Sequence, residues 1–266
     1  MTEYDNITLT TPEDGILVAT LDRPDKYNAL TIDMFPSMTA LWQDVARDRS
    51  IRAVILTGAG KGFCSGLDLE DAAKLMTYSA NEYVTLQEGF GATAAAMRRC
   101  TTPIIAAVNG PAAGAGLSLA LAADIRIAST AAKFNAAFIR IGLTGGDVGS
   151  SYLLPRIVGM GVATEILLTG RFVLPDEALR IGLVTSIVEP ADLMEAALAT
   201  GRSIAANTPL GIRLTKQAIS TNIDASSIEA ALELESRNQT LAVTNADMGE
   251  ALAAFIGKRA PRYTDS

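Results

Sequence analysis

Apolar and polar positions follow two different patterns along this chain of 266 residues. Over most of its length, short and continuous apolar runs recur between glycine, proline and polar residues. Such runs are typical of buried strands. We predict strands near residues 7–11, 16–21, 53–58, 104–108, 125–128 and 185–188. Helical stretches separate several of them, and this alternation favours an α/β fold built of layers.

The pattern changes from about residue 190 onward, where the strand signals stop. Apolar residues then recur at helical spacing, from Leu193 to Ile256. The last quarter of the chain is therefore predicted to be all-helical. Because a free appendage would not carry so many apolar positions, we expect this segment to pack on the core or on neighbouring subunits.

Two glycine-rich stretches, 61–69 and 109–117, each follow an apolar run of strand type and open toward a helix. Glycine lets the chain turn tightly and approach a ligand closely. Backbone N–H groups at a helix start carry partial positive charge, which stabilises a developing oxyanion. The pair therefore predicts an anion-stabilising site. The small, apolar residues 117–123 after the second stretch are typical of a helix buried on all sides.

Composition and charge exclude several classes of protein and partner. With 49% hydrophobic and 19% charged residues, the sequence is typical of a soluble enzyme with a large core. No segment reaches the roughly 18 uninterrupted apolar residues of a membrane span, and residues 1–6 lack the features of a signal peptide. We therefore expect a cytoplasmic protein without a membrane partner. The net charge of −7 argues against a nucleic-acid partner.

The chain contains no histidine, which limits its chemistry. Ser-His-Asp and Cys-His mechanisms and the usual His-ligated zinc site are excluded, so carboxylates, lysine or tyrosine must transfer protons. The two cysteines, Cys64 and Cys100, cannot form a disulfide framework and show no metal-ligand spacing. We predict no metal site.

The order and separation of the glycine stretches resemble the crotonase superfamily, the enoyl-CoA hydratase/isomerase group. The resemblance covers nearly the whole chain and includes further segments at 21–30, 123–128, 168–171, 178–184 and 255–261. It implies an α/β core domain over 1–190, a crotonase-like spiral of ββα repeats that holds the CoA site. It also implies a helical segment over 191–266 that closes the CoA and acyl site and builds a homotrimer or homohexamer.

The resemblance further implies an acyl-CoA substrate and no separate cofactor, since coenzyme A is part of the substrate. The backbone N–H groups of Leu67 and Ala115 would form the oxyanion hole. Lys26 and Lys258 would contact the CoA nucleotide. The substrate-binding positions carried over are Lys26, Ala29, Ser65, Gly66, Asp68, Leu69, Gly114, Phe138 and Lys258. The candidates for lining the acyl pocket are Leu75, Met76, Tyr78, Tyr83, Leu86 and Phe90.

The chain departs from the familiar hydratases at both catalytic glutamates. The first glutamate position falls on Ser118 and the second on Phe138, and residues 133–146 contain no carboxylate. Asp147 follows in a glycine-rich loop where some relatives that isomerise dienoyl-CoA carry an aspartate. We predict Asp147 to be the proton shuttle, with a helix-capping or Asx-turn role as the structural alternative.

These residues leave several reactions open. We place first an enoyl-CoA hydratase-type lyase, the commonest activity of the family. Hydration with one aspartate requires Ser118, Ser150, Ser151 or a tyrosine to position the water. Isomerisation of a Δ3-enoyl-CoA or dienoyl-CoA needs only a single base and matches the missing glutamates better. Thioester hydrolysis and acyl-CoA binding without turnover are the further alternatives.

Overall fold

The computed structural model describes residues 3–265. Its eight strands in this range are β1 (Ile7–Glu13), β2 (Ile16–Leu21), β3 (Ala53–Gly58), β4 (Ile104–Val108), β5 (Pro111–Ala113), β6 (Ile125–Ser129), β7 (Lys133–Asn135) and β8 (Ser186–Val188). The α-helices in the same range are α1 (Met34–Arg47), α2 (Leu69–Lys74), α3 (Ala80–Arg99), α4 (Ala115–Ala122), α5 (Ser150–Val158), α6 (Met160–Thr169), α7 (Pro175–Arg180), α8 (Leu193–Ala205), α9 (Pro209–Asn222), α10 (Ile228–Thr244) and α11 (Ala246–Ile256). Short 3-10 turns lie at Pro24–Lys26, Leu75–Thr77, Ala137–Ile141 and Pro190–Asp192.

The main sheet has six strands in the order β1-β2-β3-β4-β6-β8. β1 pairs with β2 in antiparallel fashion, and every later pair in this sheet is parallel. The six predicted strands are confirmed and make up this sheet. β5 and β7 form a separate parallel pair and were not predicted, because three residues are too few to show a periodicity.

Both faces of the main sheet are covered, which explains why its strands are continuously apolar. On one face, Leu56 of β3 and Ala106 of β4 pack in the large core that includes Trp42 of α1 and Met97 of α3. On the other face, Ile55 and Ile105 pack against α8. Every residue of α4 is buried, as predicted for a helix at the centre of the molecule.

The last quarter of the described chain is helical, as predicted, and its helices have two kinds of environment. α8 packs on the sheet, whereas α10 and α11 carry many exposed apolar side chains. α9 is tied to the core by Lys216, whose Nζ lies 2.6 Å from Asp124 Oδ2 and donates to the Thr102 carbonyl at 2.9 Å. The division into domains at residue 190 stays a prediction. Within residues 3–265, no helix combines the length and apolar character needed to cross a bilayer.

Candidate active site

The two glycine stretches lie against each other. The Cys64 N–H donates to the Pro111 carbonyl at 3.1 Å, and the Ala113 N–H donates to the Cys64 carbonyl at 2.9 Å. Gly116 is needed for this approach, because a Cβ at that position would lie 2.0 Å from the Cys64 oxygen. The two stretches, which are separated by residues 70–108 in the sequence, therefore form one compact unit.

The N–H groups of Leu67 and Ala115 are both available to a ligand. Leu30 bonds to Gly66 and Asp68 on either side of Leu67, at 2.8 Å each, which leaves the Leu67 N–H pointing away from Leu30. Ala115 is the first residue of α4, where the N–H has no partner within the helix. Neither N–H donates a hydrogen bond within residues 3–265. The pair has the donor chemistry of an oxyanion hole.

Both residues line a cavity of about 110 Å³. Its wall combines parts of the two glycine stretches with α3 and with the loop before α5. Five of the predicted substrate-binding residues lie there, namely Ser65, Gly66, Leu69, Gly114 and Phe138. Most of the wall is apolar, which suits the acyl part of a ligand.

The other four predicted substrate-binding residues do not line this cavity. Lys26 is exposed and pairs with Glu70 at 3.0 Å. Ala29 is buried. Asp68 caps α2 through the Glu70 N–H and pairs with Arg23 at 2.8 Å. Lys258 is exposed beyond the end of α11, in the left-handed region with a φ of 49°.

Of the six residues predicted to line the acyl pocket, Leu75, Tyr83 and Phe90 do so. Met76 is 86% exposed and points elsewhere. Tyr78 and Leu86 are also absent from the cavity wall, and Leu86 packs against the core instead. Helical periodicity alone did not separate the cavity face of α3 from its core face.

Asp147 lies at the cavity wall in the loop before α5. Its Oδ1 accepts hydrogen bonds from the Val148 N–H, at 2.7 Å, and from Gln87 Nε2. Its Oδ2 accepts none from the described part of the chain. The N-cap of α5 is Gly149, and no side chain caps this helix. Asp147 is therefore not the N-cap of α5.

The surroundings of Asp147 shift its acidity. Burial raises the pKa of Asp147, and the two hydrogen bonds to Oδ1 offset part of this rise. Burial also raises the pKa of Tyr83 on α3, and the negative charge of Asp147 adds to that effect. Among the described residues that line the cavity, Asp147 is the only carboxylate. It is thus the one carboxylate that could act as a general base at this wall.

The serines proposed to position water have other roles in the structure. Ser118 is fully buried, and its Oγ donates to the Asp147 carbonyl at 3.0 Å. Ser150 accepts from the Asp147 N–H at 3.0 Å, and its own hydroxyl donates to the Gly145 carbonyl. Both hydroxyls hold the loop, and none of Ser118, Ser150 and Ser151 lines the cavity. The expectation that a serine positions the water is therefore not supported.

The sequence did not single out Gln87, although it contacts Asp147 and lines the cavity. The available signal was its spacing on α3. Tyr83, Gln87 and Phe90 are four and three residues apart, which places them on one face of the helix.

Comparison with known proteins identifies the family of the chain. The enoyl-CoA hydratase/isomerase family model matches residues 11–266. The probable enoyl-CoA hydratase EchA12 of Mycobacterium tuberculosis is 41% identical, over 96% of this chain and 91% of that protein. The 1,2-epoxyphenylacetyl-CoA isomerase of Escherichia coli is 36% identical, over 95% of this chain and 96% of its own length.

Comparison of the fold with solved structures leads to the same family. The crystal structure of an enoyl-CoA hydratase from Bacillus anthracis superposes with a TM-score of 0.93 at 30% identity, covering 98% of this chain and 100% of that one. The fold is therefore the predicted crotonase fold. The chain belongs to the enoyl-CoA hydratase/isomerase family and is an acyl-CoA-processing enzyme.

Proposed function

We propose that this enzyme adds water reversibly to the double bond of a 2-enoyl-CoA, with Asp147 as its acid–base residue. The observation that carries the proposal is the composition of the cavity wall. Among residues 3–265, it offers one carboxylate with an oxygen that accepts no hydrogen bond and two backbone N–H groups that donate none. Base and oxyanion donors are the two elements that chemistry at a thioester enolate requires.

The reaction uses these groups as follows. The thioester oxygen binds the N–H groups of Leu67 and Ala115, which draw electron density from the double bond. Water attacks the β-carbon while Asp147 Oδ2 takes one of its protons, and the negative charge moves to the thioester oxygen. The carboxylic acid then gives the proton to the α-carbon and returns to its ionised form. Each N–H would contribute about 3–4 kcal/mol to stabilising the enolate.

The raised pKa of Asp147 suits this cycle. A carboxyl group must accept a proton from water and release it to carbon, and both steps are easiest when its pKa is closer to the working pH. Burial supplies the shift, as it does for catalytic carboxylates in general. The hydrogen bonds from the Val148 N–H and from Gln87 offset part of this rise in the pKa of Asp147.

The proposal also covers how the coenzyme A part of the substrate binds and how the subunits assemble. Lys26 and Lys258, both exposed outside the acyl cavity, would bind phosphate groups of coenzyme A.

The exposed apolar side chains of α10 and α11 would be covered by other subunits in a homotrimer or homohexamer. Support for this assembly comes from the size of that exposed apolar surface, which includes Leu252, Phe255 and Ile256.

A second candidate function is migration of a double bond from the β,γ to the α,β position. The observation in its favour is the single carboxylate of the cavity wall, because one base is enough to take a proton from one carbon and return it to another. The oxyanion donors would stabilise the dienolate in the same way.

Incubation with crotonyl-CoA and with 3-butenoyl-CoA in deuterated water separates these reactions. We expect crotonyl-CoA to give 3-hydroxybutyryl-CoA with deuterium at the α-carbon. Migration of the 3-butenoyl double bond without any addition to crotonyl-CoA would replace hydration by the second candidate. Release of free CoA from either thioester would indicate hydrolysis, and binding without turnover of either substrate would contradict both proposed reactions.

A further inference from the structure

Gln87 is joined to the predicted base by its side chain. Its Nε2 donates a hydrogen bond to Asp147 Oδ1, across 60 positions of sequence. This contact also fixes the orientation of the carboxamide, because the opposite orientation would place its oxygen against the carboxylate. The Gln87 Oε1 atom must therefore point away from Oδ1.

That oxygen has no hydrogen-bond partner. Gln87 Oε1 is buried, and no donor from residues 3–265 reaches it. Buried carbonyl oxygens in native proteins nearly always accept a hydrogen bond from the protein, from water or from a ligand. Because Gln87 lines the cavity, the missing donor is expected from whatever occupies that cavity.

Gln87 Oε1 and Asp147 Oδ2 both lack a hydrogen-bond donor among residues 3–265. Both are acceptors, both are free of partners among the described residues, and they belong to two groups joined by one hydrogen bond. A water molecule has two protons to donate, so one water held between the two groups would satisfy both atoms. Its remaining lone pairs are then free to attack carbon.

We propose that Gln87 binds the O–H group at the reacting β-carbon and so serves with Asp147 as the second acceptor for the attacking water. The inference rests on the hydration proposed above. In the forward direction, one water proton passes to Asp147 and then to the α-carbon. The other proton stays on oxygen as the new β-hydroxyl and keeps its hydrogen bond to Gln87 Oε1. In the reverse direction the same hydroxyl is held by Gln87 while Asp147 takes the α-proton.

Two properties follow for Gln87 variants. The loss of Oε1 removes an acceptor that only water addition uses, so hydration is impaired more than double-bond migration. The loss of Nε2 removes a donor that lowers the pKa of Asp147, so the acid limb of the activity profile moves to higher pH. A purely structural role for Gln87 would produce neither effect.

The test compares Gln87→Leu and Gln87→Glu with wild type and with Glu88→Gln, an exposed neighbour on the same helix that serves as control. The readouts are kcat and KM for crotonyl-CoA hydration and for 3-butenoyl-CoA migration from pH 5 to 9. We expect Gln87→Leu to lower kcat for hydration by about 100-fold with KM within about threefold, and to lower migration by about tenfold or less.

Gln87→Glu keeps the acceptor and, when protonated, the donor. It should therefore recover most hydration activity at the acid end of the range, with Glu88→Gln unchanged throughout. The migration activity that Gln87→Leu keeps shows that its loss of hydration does not come from misfolding.

Equal losses of hydration and migration in Gln87→Leu would overturn the water-binding role. Hydration within about threefold of wild type, with an unshifted pH profile, would overturn any role for Gln87 in the reaction. A wild-type enzyme that catalyses double-bond migration but adds no water would instead refute the proposed function. The wild-type enzyme is therefore measured before any variant.

Discussion

Ser118 Oγ donates a hydrogen bond of 3.0 Å to the main-chain carbonyl of Asp147. The resemblance to the hydratases predicts Ser118 at the position of their first glutamate, and in the structure its hydroxyl holds the loop that carries Asp147. Asp147 is thereby supported at three points, through its carbonyl, its N–H and its carboxylate. The site is built around one fixed carboxylate.

The Ser118 contact can be tested by Ser118→Ala. Because the Asp147 carbonyl keeps only its second donor, the Ser150 N–H at 3.0 Å, we expect a loss of about 1–2 kcal/mol in the free energy of unfolding. The released loop should also lower kcat by about tenfold. Urea denaturation and steady-state kinetics measure the two effects.

Ser203→Ala is the matched control, because the Ser203 hydroxyl also donates to a main-chain carbonyl but is exposed on α8. It should change stability by less than about 0.5 kcal/mol. Equal behaviour of the two serine variants would show that the Ser118 bond does not support the loop.

The raised pKa of Asp147 predicts a stability that depends on pH. An aspartate whose native pKa exceeds its unfolded value holds more protons in the native state between the two values, so its contribution to stability is lost as pH rises through the native pKa. Asp147→Asn cannot ionise and avoids this loss. Relative to wild type, the variant should gain stability at pH 7 and lose that gain near pH 4, close to the ordinary pKa of about 3.9.

Urea denaturation of both proteins at pH 4 and pH 7 gives the comparison. A stability difference that is the same at both values, or one that favours wild type more strongly at pH 7, would contradict a raised pKa for Asp147.

The contact between the glycine stretches predicts a severe effect for Gly116→Ala. The added Cβ would lie 2.0 Å from the Cys64 carbonyl oxygen, which belongs to the backbone and cannot rotate away. We expect a loss of about 3 kcal/mol or more in stability and loss of activity, because the chain that carries Leu67 must move.

Gly89→Ala provides the control within a helix. A Cβ at Gly89 of α3 meets no atom within 4 Å, so this variant should gain about 0.5–1 kcal/mol from the higher helix propensity of alanine. If Gly116→Ala melts at the wild-type temperature and keeps its activity, the close approach of the two stretches is not required.

The proposed assembly predicts a native mass of three or six chains. Phe255 is 84% exposed and Ile256 is 72% exposed at the end of α11, although both are large and apolar. Phe255→Glu should lower the mass, because an interface core does not accept an unpaired charge. Light scattering coupled to size-exclusion chromatography measures both proteins. A monomeric wild type at micromolar concentration would refute the assembly.

Strong local signals in the sequence allowed much of this fold to be predicted. β3 and β4 are uninterrupted apolar runs at the centre of a two-sided sheet, and the prediction matches their bounds. β5 and β7 were missed because each has three residues and is fixed by pairing with a distant strand. The helical last quarter was predicted from the helical spacing of its apolar residues. Which of its helices pack on the sheet and which stay exposed depends on tertiary contacts, and the spacing does not show it.

The sequence likewise predicted some residues of the candidate site and missed others. The glycine stretches predicted an anion site, and the resemblance to the crotonase superfamily supplied Leu67 and Ala115 as its donors; the structure brings both residues to one cavity. Asp147 was proposed because residues 133–146 contain no carboxylate and because some members of the resembling family carry an aspartate in this loop. Gln87 was missed because a single polar residue on a helix is ordinarily solvent-exposed, and only the three-dimensional structure brings it to Asp147.

The central claim is that Asp147 transfers the proton, and the most direct measurement is the rate of crotonyl-CoA hydration by Asp147→Asn. Asp176→Asn, at an exposed position in the first turn of α7, is the control. We predict that Asp147→Asn lowers kcat by about 10²- to 10⁴-fold with little change in KM, while the control keeps the wild-type rate. An Asp147→Asn enzyme that hydrates crotonyl-CoA within tenfold of wild type would show that another group moves the proton.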